Sequence, residues 1–400
     1  MLNLKVYKDI KLWKKSVHLS RFYLAKSYLK LLSQLEIVGI TGSVGKTLTQ
    51  NAIASVLSQK YRTVVGNENL DPTFRIPNTI LKAKKWDKFL VLEYGVEHPG
   101  DMDHYLSLVK PKIAVVTTIS PTHLKYLKSV QGVYDQKVKL VESLHKNGHA
   151  VLNADDPEVV KMASQTTARI WWYGNKARNG VKISHFGENL KGANFRLHYK
   201  GQKATVNWKV FGEHQLLSAY AAATVGIVAG LTLKQIAKGL SATRPPEHRL
   251  NLITTKDANI IDDTYNASPV AAERSIATLR SLGNSKQKIA VLGQMRDLGH
   301  ESQELHNELG KQIAKSKINQ LITVGKTAST IAKAALKNGF GGKIIVTSNT
   351  KEALKSLQNS ANPKNIILVK GSRHDHLERI VYGLLGKSTE INCYHCGKLN

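Results

Sequence analysis

Four hundred residues with 42% hydrophobic content can bury a substantial core and make two or three domains. The 58 Lys and Arg against 29 Asp and Glu give a net charge of +29. The cations are scattered, with no arginine-rich tail and no interleaved aromatic motif. Most are therefore expected on solvated helix faces, no nucleic-acid partner is expected, and the positive field suits a polyanionic small substrate such as a nucleotide. No run of about 18 apolar residues predicts a membrane span, and no apolar core near the N-terminus predicts a secretory leader. A cytoplasmic monomer is expected.

Residues 1–36 hold eight basic side chains against Asp9 and Glu36. Val6, Ile10, Trp13, Val17 and then Leu24 recur at spacings of three, four and seven, which predicts one or two amphipathic helices. A basic amphipathic helix can lie on an anionic membrane surface, through residues 1–30 here, or pack against its own domain.

The next stretch, "EIVGITGSVGKTLTQNAIASVL", reads as a strand, a glycine turn and a helix. In that layout backbone N–H groups and a helix N-terminus cradle phosphate. The full pattern G-x-x-x-x-G-K-[ST] is not met, because Ile40 stands where its first glycine would fall. Gly45-Lys46-Thr47 keeps the chemical end: a lysine for the outer phosphates and a hydroxyl for Mg²⁺. Thr41, Gly42, Ser43, Gly45, Lys46 and Thr47 are the candidate nucleotide-binding residues. The competing reading is a glycine-rich turn with an incidental lysine.

From 37 to about 243, strand-like runs alternate with helical stretches, the clearest being "FLVLEYG", "IAVVTTIS" and "HAVLNADD". Such alternation predicts a mostly parallel sheet, whose ligands bind beyond the carboxyl ends of the strands. Glu93 and His123 lie at such ends. A carboxylate at 93 could hold Mg²⁺ opposite the phosphate turn; each residue also has an ordinary structural reading. The alternating stretch 181–212 predicts an antiparallel β insertion, and "LLSAYAAATVGIVAGL" a small-residue helix suited to close packing. Pro245-Pro246 reads as a linker, and "NIIDDTYN", "KIAVLGQM", "QLITVGK", "KIIVTS" and "NIILVKG" as strands of a second α/β domain. Only two cysteines occur, Cys393 and Cys396 in the terminal "CYHCGK". They exclude a disulfide framework and read as an unstructured tail, or as half of a metal site completed elsewhere.

The blocks "GITGSVGKT", "LEYGVEHPGDM", "ISPTHLKYLKSVQGVYDQK", "LNADDP", "GEHQLLSAYAAA", "IDDTYNASP", "LGQMRDLGHESQELH" and "VKGSR" stand in the order found in the Mur ligases. The chain resembles that family over residues 37–385, and "DDTYNASP" with "LGQMRDLG" is most similar to its D-Ala-D-Ala-adding branch. The resemblance implies a central P-loop-type, mostly parallel sheet domain with a β insertion over 37–243. It implies a Rossmann-like C-terminal α/β ligase domain over 244–388 and a tail over 389–400. Residues 1–36 stand where family members carry a domain that grips the UDP end of the substrate.

It also implies roles. Lys46 with Gly45 and Thr47 would bind ATP phosphates and one Mg²⁺, with Glu93 and His123 near a second. Lys137 aligns with a lysine carried as a carbamate, with Lys139 as the competing choice. His214 would lie on the adenine side; Arg249, Asp263, Tyr265 and Asn266 would close over ribose and phosphate. Lys46, Lys137, His123 and Glu93 are thus the candidate catalytic residues, and Thr47, Glu93, His123 and Lys137 the candidate metal ligands.

The implied reaction is ATP-dependent amide ligation through an acyl phosphate, joining a UDP-muramoyl-peptide to D-Ala-D-Ala. A different carboxylate and amine pair, or a non-catalytic nucleotide-binding scaffold, are the alternatives. Departures from the family pattern are Leu48 after Thr47, Gln215 and Ser218 after His214, and Lys139 where Glu is common.

Overall fold

The computed structural model describes residues 12–66, 72–283, 286–358, 362 and 364–390. The sequence expectations on Val6, Ile10, Cys393 and Cys396 lie outside the described residues. The chain divides into two units. The first holds the described residues up to Gly187, with Ala193–Lys209 and Gln215–Arg244; the second holds Glu188–Gly192, Val210–His214 and the described residues from Pro245 on.

In the first unit, β1 (Glu36–Thr41), β2 (Thr63–Val65), β3 (Phe89–Glu93), β4 (Ile113–Val116), β5 (His149–Asn153) and β6 (Arg169–Tyr173) make one sheet in the order β2-β3-β1-β4-β5-β6. Every pairing in it is parallel. The runs "IVGI", "FLVL" and "IAVV" are apolar without alternation because both faces of a parallel sheet are covered. On one face, helix Lys46–Leu57 packs against helices Leu216–Val228 and Leu233–Ala242. That approach requires glycine: a Cβ on Gly239 would stand 2.5 Å from Val56 Cα, and one on Gly226 2.8 Å from Ile236 Cγ1.

On the other face lie helices Pro72–Lys82, Asp101–Leu108 and Val130–Glu142, with helix Leu12–Leu29 packed onto the first two. Phe22 and Ala25 of that N-terminal helix are 1% and 0% exposed among Ile76, Ile80 and Met102. Burying a ring such as Phe22 contributes about 2–3 kcal/mol, so the helix is held by its own unit. The alternating stretch forms β7 (Lys182–Asn189), β8 (Gly192–Tyr199) and β9 (Gln202–Trp208), with β8 and β9 antiparallel.

The second unit holds β10 (Asn251–Thr254), β11 (Asn259–Asp263), β12 (Gln287–Leu292), β13 (Gln320–Val324), β14 (Lys343–Thr347) and β15 (Asn365–Lys370), ordered β10-β11-β15-β12-β13-β14. Only β10 runs antiparallel to its neighbour; the other pairings are parallel. Apolar clusters cover both faces, so this too is a helix-sheet-helix α/β unit. In the first sheet the connections leave in opposite directions from the adjacent strands β1 and β4, and a crevice for ligands opens at such a point. In the second, β15 returns from edge strand β14 to lie between β11 and β12.

Candidate nucleotide and ligase site

In the first unit the site is built on the turn between β1 and helix Lys46–Leu57. Ile40 is the β-sheet partner of Glu93, so the position of the missing glycine is strand and the turn begins two residues later, at Gly42. Gly42 and Gly45 have φ of 142° and 82°, and a Cβ on Gly42 would fall 1.9 Å from Thr117 Oγ1. Gly45 is the N-cap, so no side chain occupies the first-turn N–H groups, which face an incoming anion. Thr41 is fully buried and its hydroxyl donates to Tyr94 O at 2.8 Å, tying β1 to the end of β3.

Four of the sequence-predicted residues gather around this turn. Thr47 Oγ1 donates to Glu93 Oε2 at 3.0 Å. Lys46 Nζ donates to Gly42 O at 2.9 Å. A Cβ placed on Gly95 would have Lys46 Cε at 3.9 Å and Glu93 Oε1 at 4.0 Å, so lysine and carboxylate flank one spot. Lys137 Nζ donates to Ser43 Oγ at 3.0 Å. The two candidate lysines part company: Lys139 Nζ pairs instead with Asp103 at 2.6 Å.

Ser43 is the hub of the far side. Its N–H donates to Thr118 O at 2.7 Å and its hydroxyl to Ser120 O at 3.0 Å. Ser120 N and Thr122 Oγ1 donate back to that hydroxyl at 3.0 and 3.3 Å. His123 follows in the same loop with φ 54°, a left-handed residue that caps the short helix Leu124–Leu127.

Lys137 is 1% exposed. Burial, and then the charge of Lys46, pull its ammonium well below the usual lysine range. Glu93 is 7% exposed and has a second partner that sequence reading missed: Arg75 Nη2 lies 3.5 Å from Glu93 Oε2 and donates to Glu93 O at 3.3 Å. Nothing local in "PTFRIPNTILK" announces that role; it arises because helix Pro72–Lys82 packs beside β3.

The second unit gathers the other group. Asp263 Oδ2 accepts from Lys370 Nζ and Ser275 Oγ, each at 2.6 Å, and Oδ1 accepts from Leu250 N at 3.2 Å. Lys370 Nζ also donates to Asn266 O at 2.9 Å. Asp263 and Lys370 are register partners on β11 and β15. Lys370 was not read from sequence, although "VKGSR" contains it. Arg249 stacks its guanidinium 4.0 Å from the Tyr265 ring centre. His214 is pushed down to about 4 by burial and then by the charge of Arg274. His248 Nδ1 meets Asp262 Oδ2 at 2.7 Å; burial lowers its pKa, the bond and charge of Asp262 outweigh that, and the net shift is upward.

A cavity of about 450 Å³ opens at the carboxyl ends of β12–β15, lined by Gln294, Lys326, Asn349, Asp375, His376 and Arg379 among others. It presents cations, a carboxylate and amides, the equipment for a small zwitterion. Burial raises Asp375 against the bonds it accepts from Gln294 and the nearby Arg296.

Two family descriptions match the chain: Mur ligase middle domain over residues 40–226, and Mur ligase glutamate ligase domain over 248–373. The phosphate turn and the α/β unit that follows it are thereby those of an ATP-dependent acid–amino-acid ligase. The chain belongs to the Mur ligase family. A relative from Bacillus subtilis named UDP-N-acetylmuramoyl-tripeptide–D-alanyl-D-alanine ligase is 32% identical over 363 residues, 90% of this chain and 78% of that one. Among solved structures, MurF from Acinetobacter baumannii superposes with a TM-score of 0.84 at 27% identity, covering 92% of this chain and 81% of its own. MurF ligase from Thermotoga maritima in complex with ADP gives 0.82 at 25%, covering 92% and 84%. The expected α/β architecture and the ATP-using ligase class hold. No helix among the described residues is long and apolar enough to cross a membrane.

Proposed function

We propose that this protein uses ATP to join the free carboxylate of a UDP-muramoyl-tripeptide to D-Ala-D-Ala, forming one amide bond with release of ADP and phosphate. The observation that carries the reading is the set of contacts around one turn: Thr47 on Glu93, Lys46 beside both, and Lys137 on Ser43. A scaffold has no use for a buried lysine and a buried carboxylate set against a phosphate turn. The name of the B. subtilis relative supplies the substrate pair.

In this reading the turn amides and Lys46 take the outer phosphates and neutralise charge as the γ-phosphoryl passes to the substrate carboxylate. Thr47 Oγ1 and Glu93 are hard oxygen donors 3.0 Å apart, a set that fits Mg²⁺. No group of three or more His, Cys, Asp or Glu gathers among the described residues, so phosphate oxygens and water would complete the shell, with His123 and a modified Lys137 as further contributors. Bound there, the ion would polarise the phosphoryl oxygens.

Lys137 suits carbamylation for a physical reason. Its lowered basicity makes the neutral amine easier to reach, and the lone pair of that form can add to CO₂ with loss of one proton. The carbamate would carry negative charge where the amine now meets the Ser43 hydroxyl and the field of Lys46, so a repulsion would become an attraction. In this reading Arg249, stacked on Tyr265 in the second unit, would contribute to holding the nucleotide. The cavity at the ends of β12–β15 would take the incoming amine.

The test is phosphate release with ATP, UDP-muramoyl-tripeptide and D-Ala-D-Ala, run against other carboxylate and amine pairs. Turnover confined to the first pair is the expected result; release that is indifferent to the amine, or faster with another pair, overturns the substrate assignment.

A further inference from the structure

The amino ends of the parallel strands in the first unit lie opposite the phosphate turn, and that end is both cationic and apolar. Tyr28 Oη donates to Ala83 O at 2.8 Å, and Glu36 N donates to Lys88 O at 2.8 Å. Lys88 Nζ then pairs with Glu36 at 2.6 Å. These bonds clamp residues 28–36 against residues 83–88. The clamp brings two exposed apolar side chains onto adjoining loops: Leu31, 62% exposed, and Trp86, 65% exposed. Leu24, 60% exposed, stands seven residues before Leu31, and Tyr23 is 55% exposed beside it. The inner face of the same helix, with Phe22 and Ala25, is already buried in the unit's core, so the outer face is surplus to folding.

Cations surround this apolar group. Lys30, Arg62, Lys82, Lys84 and Lys85 are all exposed, and the Arg62 guanidinium lies 5.8 Å from the Trp86 ring centre. Further along the same edge, Lys60 follows the end of helix Lys46–Leu57, Lys110 precedes β4 and Lys146 precedes β5, each exposed. The acidic groups at this end are few. Glu36 is paired with Lys88, Asp87 is buried and accepts from Lys84 N at 2.7 Å, and Glu142 is exposed.

We infer that this edge docks on an anionic lipid bilayer, with Trp86, Leu31, Leu24 and Tyr23 entering the headgroup layer and the lysines facing lipid phosphates. Indole and phenol rings favour that boundary, and clustered lysines supply the electrostatic attraction. Charge complementarity selects the occupant, and the two leucines select lipid over nucleic acid, since an aliphatic side chain has nothing to stack on a base. Docked in this way, the phosphate turn at the opposite strand ends faces water and its nucleotide supply.

The test is co-sedimentation of the full-length protein with vesicles containing phosphatidylglycerol and with vesicles of phosphatidylcholine alone. Binding is expected only to the former, and it should fall as salt is raised. The pair Lys84→Glu and Lys85→Glu is expected to weaken it more than about twentyfold, at about fivefold per lysine lost. Trp86→Ser is expected to weaken it too, and brominated lipid should quench indole fluorescence in the parent far more than in this variant. Both variants should keep the parent's circular dichroism and phosphate release, because neither touches the phosphate turn. Equal sedimentation with both vesicle types, or none with either, overturns the inference. So does single-stranded RNA binding that outcompetes the vesicles, or a self-association abolished by Trp86→Ser while vesicle binding stays intact.

Discussion

Lys137 Nζ donates to Ser43 Oγ at 3.0 Å, in a pocket where Lys137 is 1% exposed and the charge of Lys46 opposes its own. A buried amine held in that position is primed to lose its proton. In buffer stripped of CO₂ and bicarbonate, ATP turnover should fall and return on adding bicarbonate, and carbon-13 bicarbonate should give a carbamate resonance absent from Lys137→Met. Full activity without CO₂, and no such resonance, would remove carbamylation from the mechanism.

Lys46 is expected to be indispensable for a different reason. Its Nζ donates to Gly42 O at 2.9 Å, a bond that a phosphate oxygen can replace. Lys46→Ala should abolish ATP turnover while leaving circular dichroism and the urea midpoint near the parent's. Undiminished phosphate release in that variant would exclude Lys46.

The contact between Thr47 and Glu93 predicts a metal phenotype. Glu93→Gln keeps the hydrogen bond from Thr47 but removes a charge from a hard-oxygen donor pair. The Mg²⁺ concentration for half-maximal turnover should rise by about 10- to 100-fold. Arg75 would be left without its 3.5 Å ion-pair partner, so thermal unfolding should be followed beside the titration. An unchanged Mg²⁺ dependence would place the metal elsewhere.

In the second unit, Lys370 and Asp263 form a 2.6 Å ion pair with side chains 2% and 11% exposed. Removing one partner leaves the other charged in a dry site, so Lys370→Met should cost about 3–5 kcal/mol of stability. The double variant Lys370→Met with Asp263→Leu should recover part of that loss, and urea midpoints would show it. Equal destabilisation by single and double variants would mean that the pair acts only through packing.

His214 gives the sign of an acid response. Its folded value of about 4 lies below the unfolded value of 6.5, so the folded state binds its proton later than the unfolded chain. The stability tied to its neutral form is complete above about 6.5 and drains away as pH falls toward 4, by about 3 kcal/mol at most. His214→Gln should flatten the stability profile over that interval; a profile that stays equally steep assigns the acid lability to other groups.

The sheet runs were legible in the sequence because strands covered on both faces leave unbroken apolar segments, as in "FLVL" and "IAVV". Gly45-Lys46-Thr47 was legible because a phosphate turn needs a left-handed residue, a cation and a hydroxyl in immediate succession. Arg75 and Lys370 were not, and for a common reason. Each acquires its partner through packing or strand register between segments far apart in the chain, 18 and 107 residues in these two cases. No local pattern encodes such a pairing. The choice between Lys137 and Lys139 was of the same kind. Two residues of helix rotation send one side chain inward to Ser43 and the other outward to Asp103, and that rotation depends on how helix Val130–Glu142 is seated.

Arg249 stands between two residues with left-handed backbone, His248 at φ 59° and Leu250 at φ 53°. Glycine would adopt either conformation more readily, yet both side chains are engaged, His248 on Asp262 and Leu250 in the apolar core. Successive carboxylates at the end of β11 grip this crank from both sides, Asp262 by the ring and Asp263 by the Leu250 N–H. The arginine's heading is thus set by the scaffold before any anion arrives, and little reorientation remains for binding to impose. Relaxing the crank with glycine at 248 would ease the backbone and let the guanidinium wander.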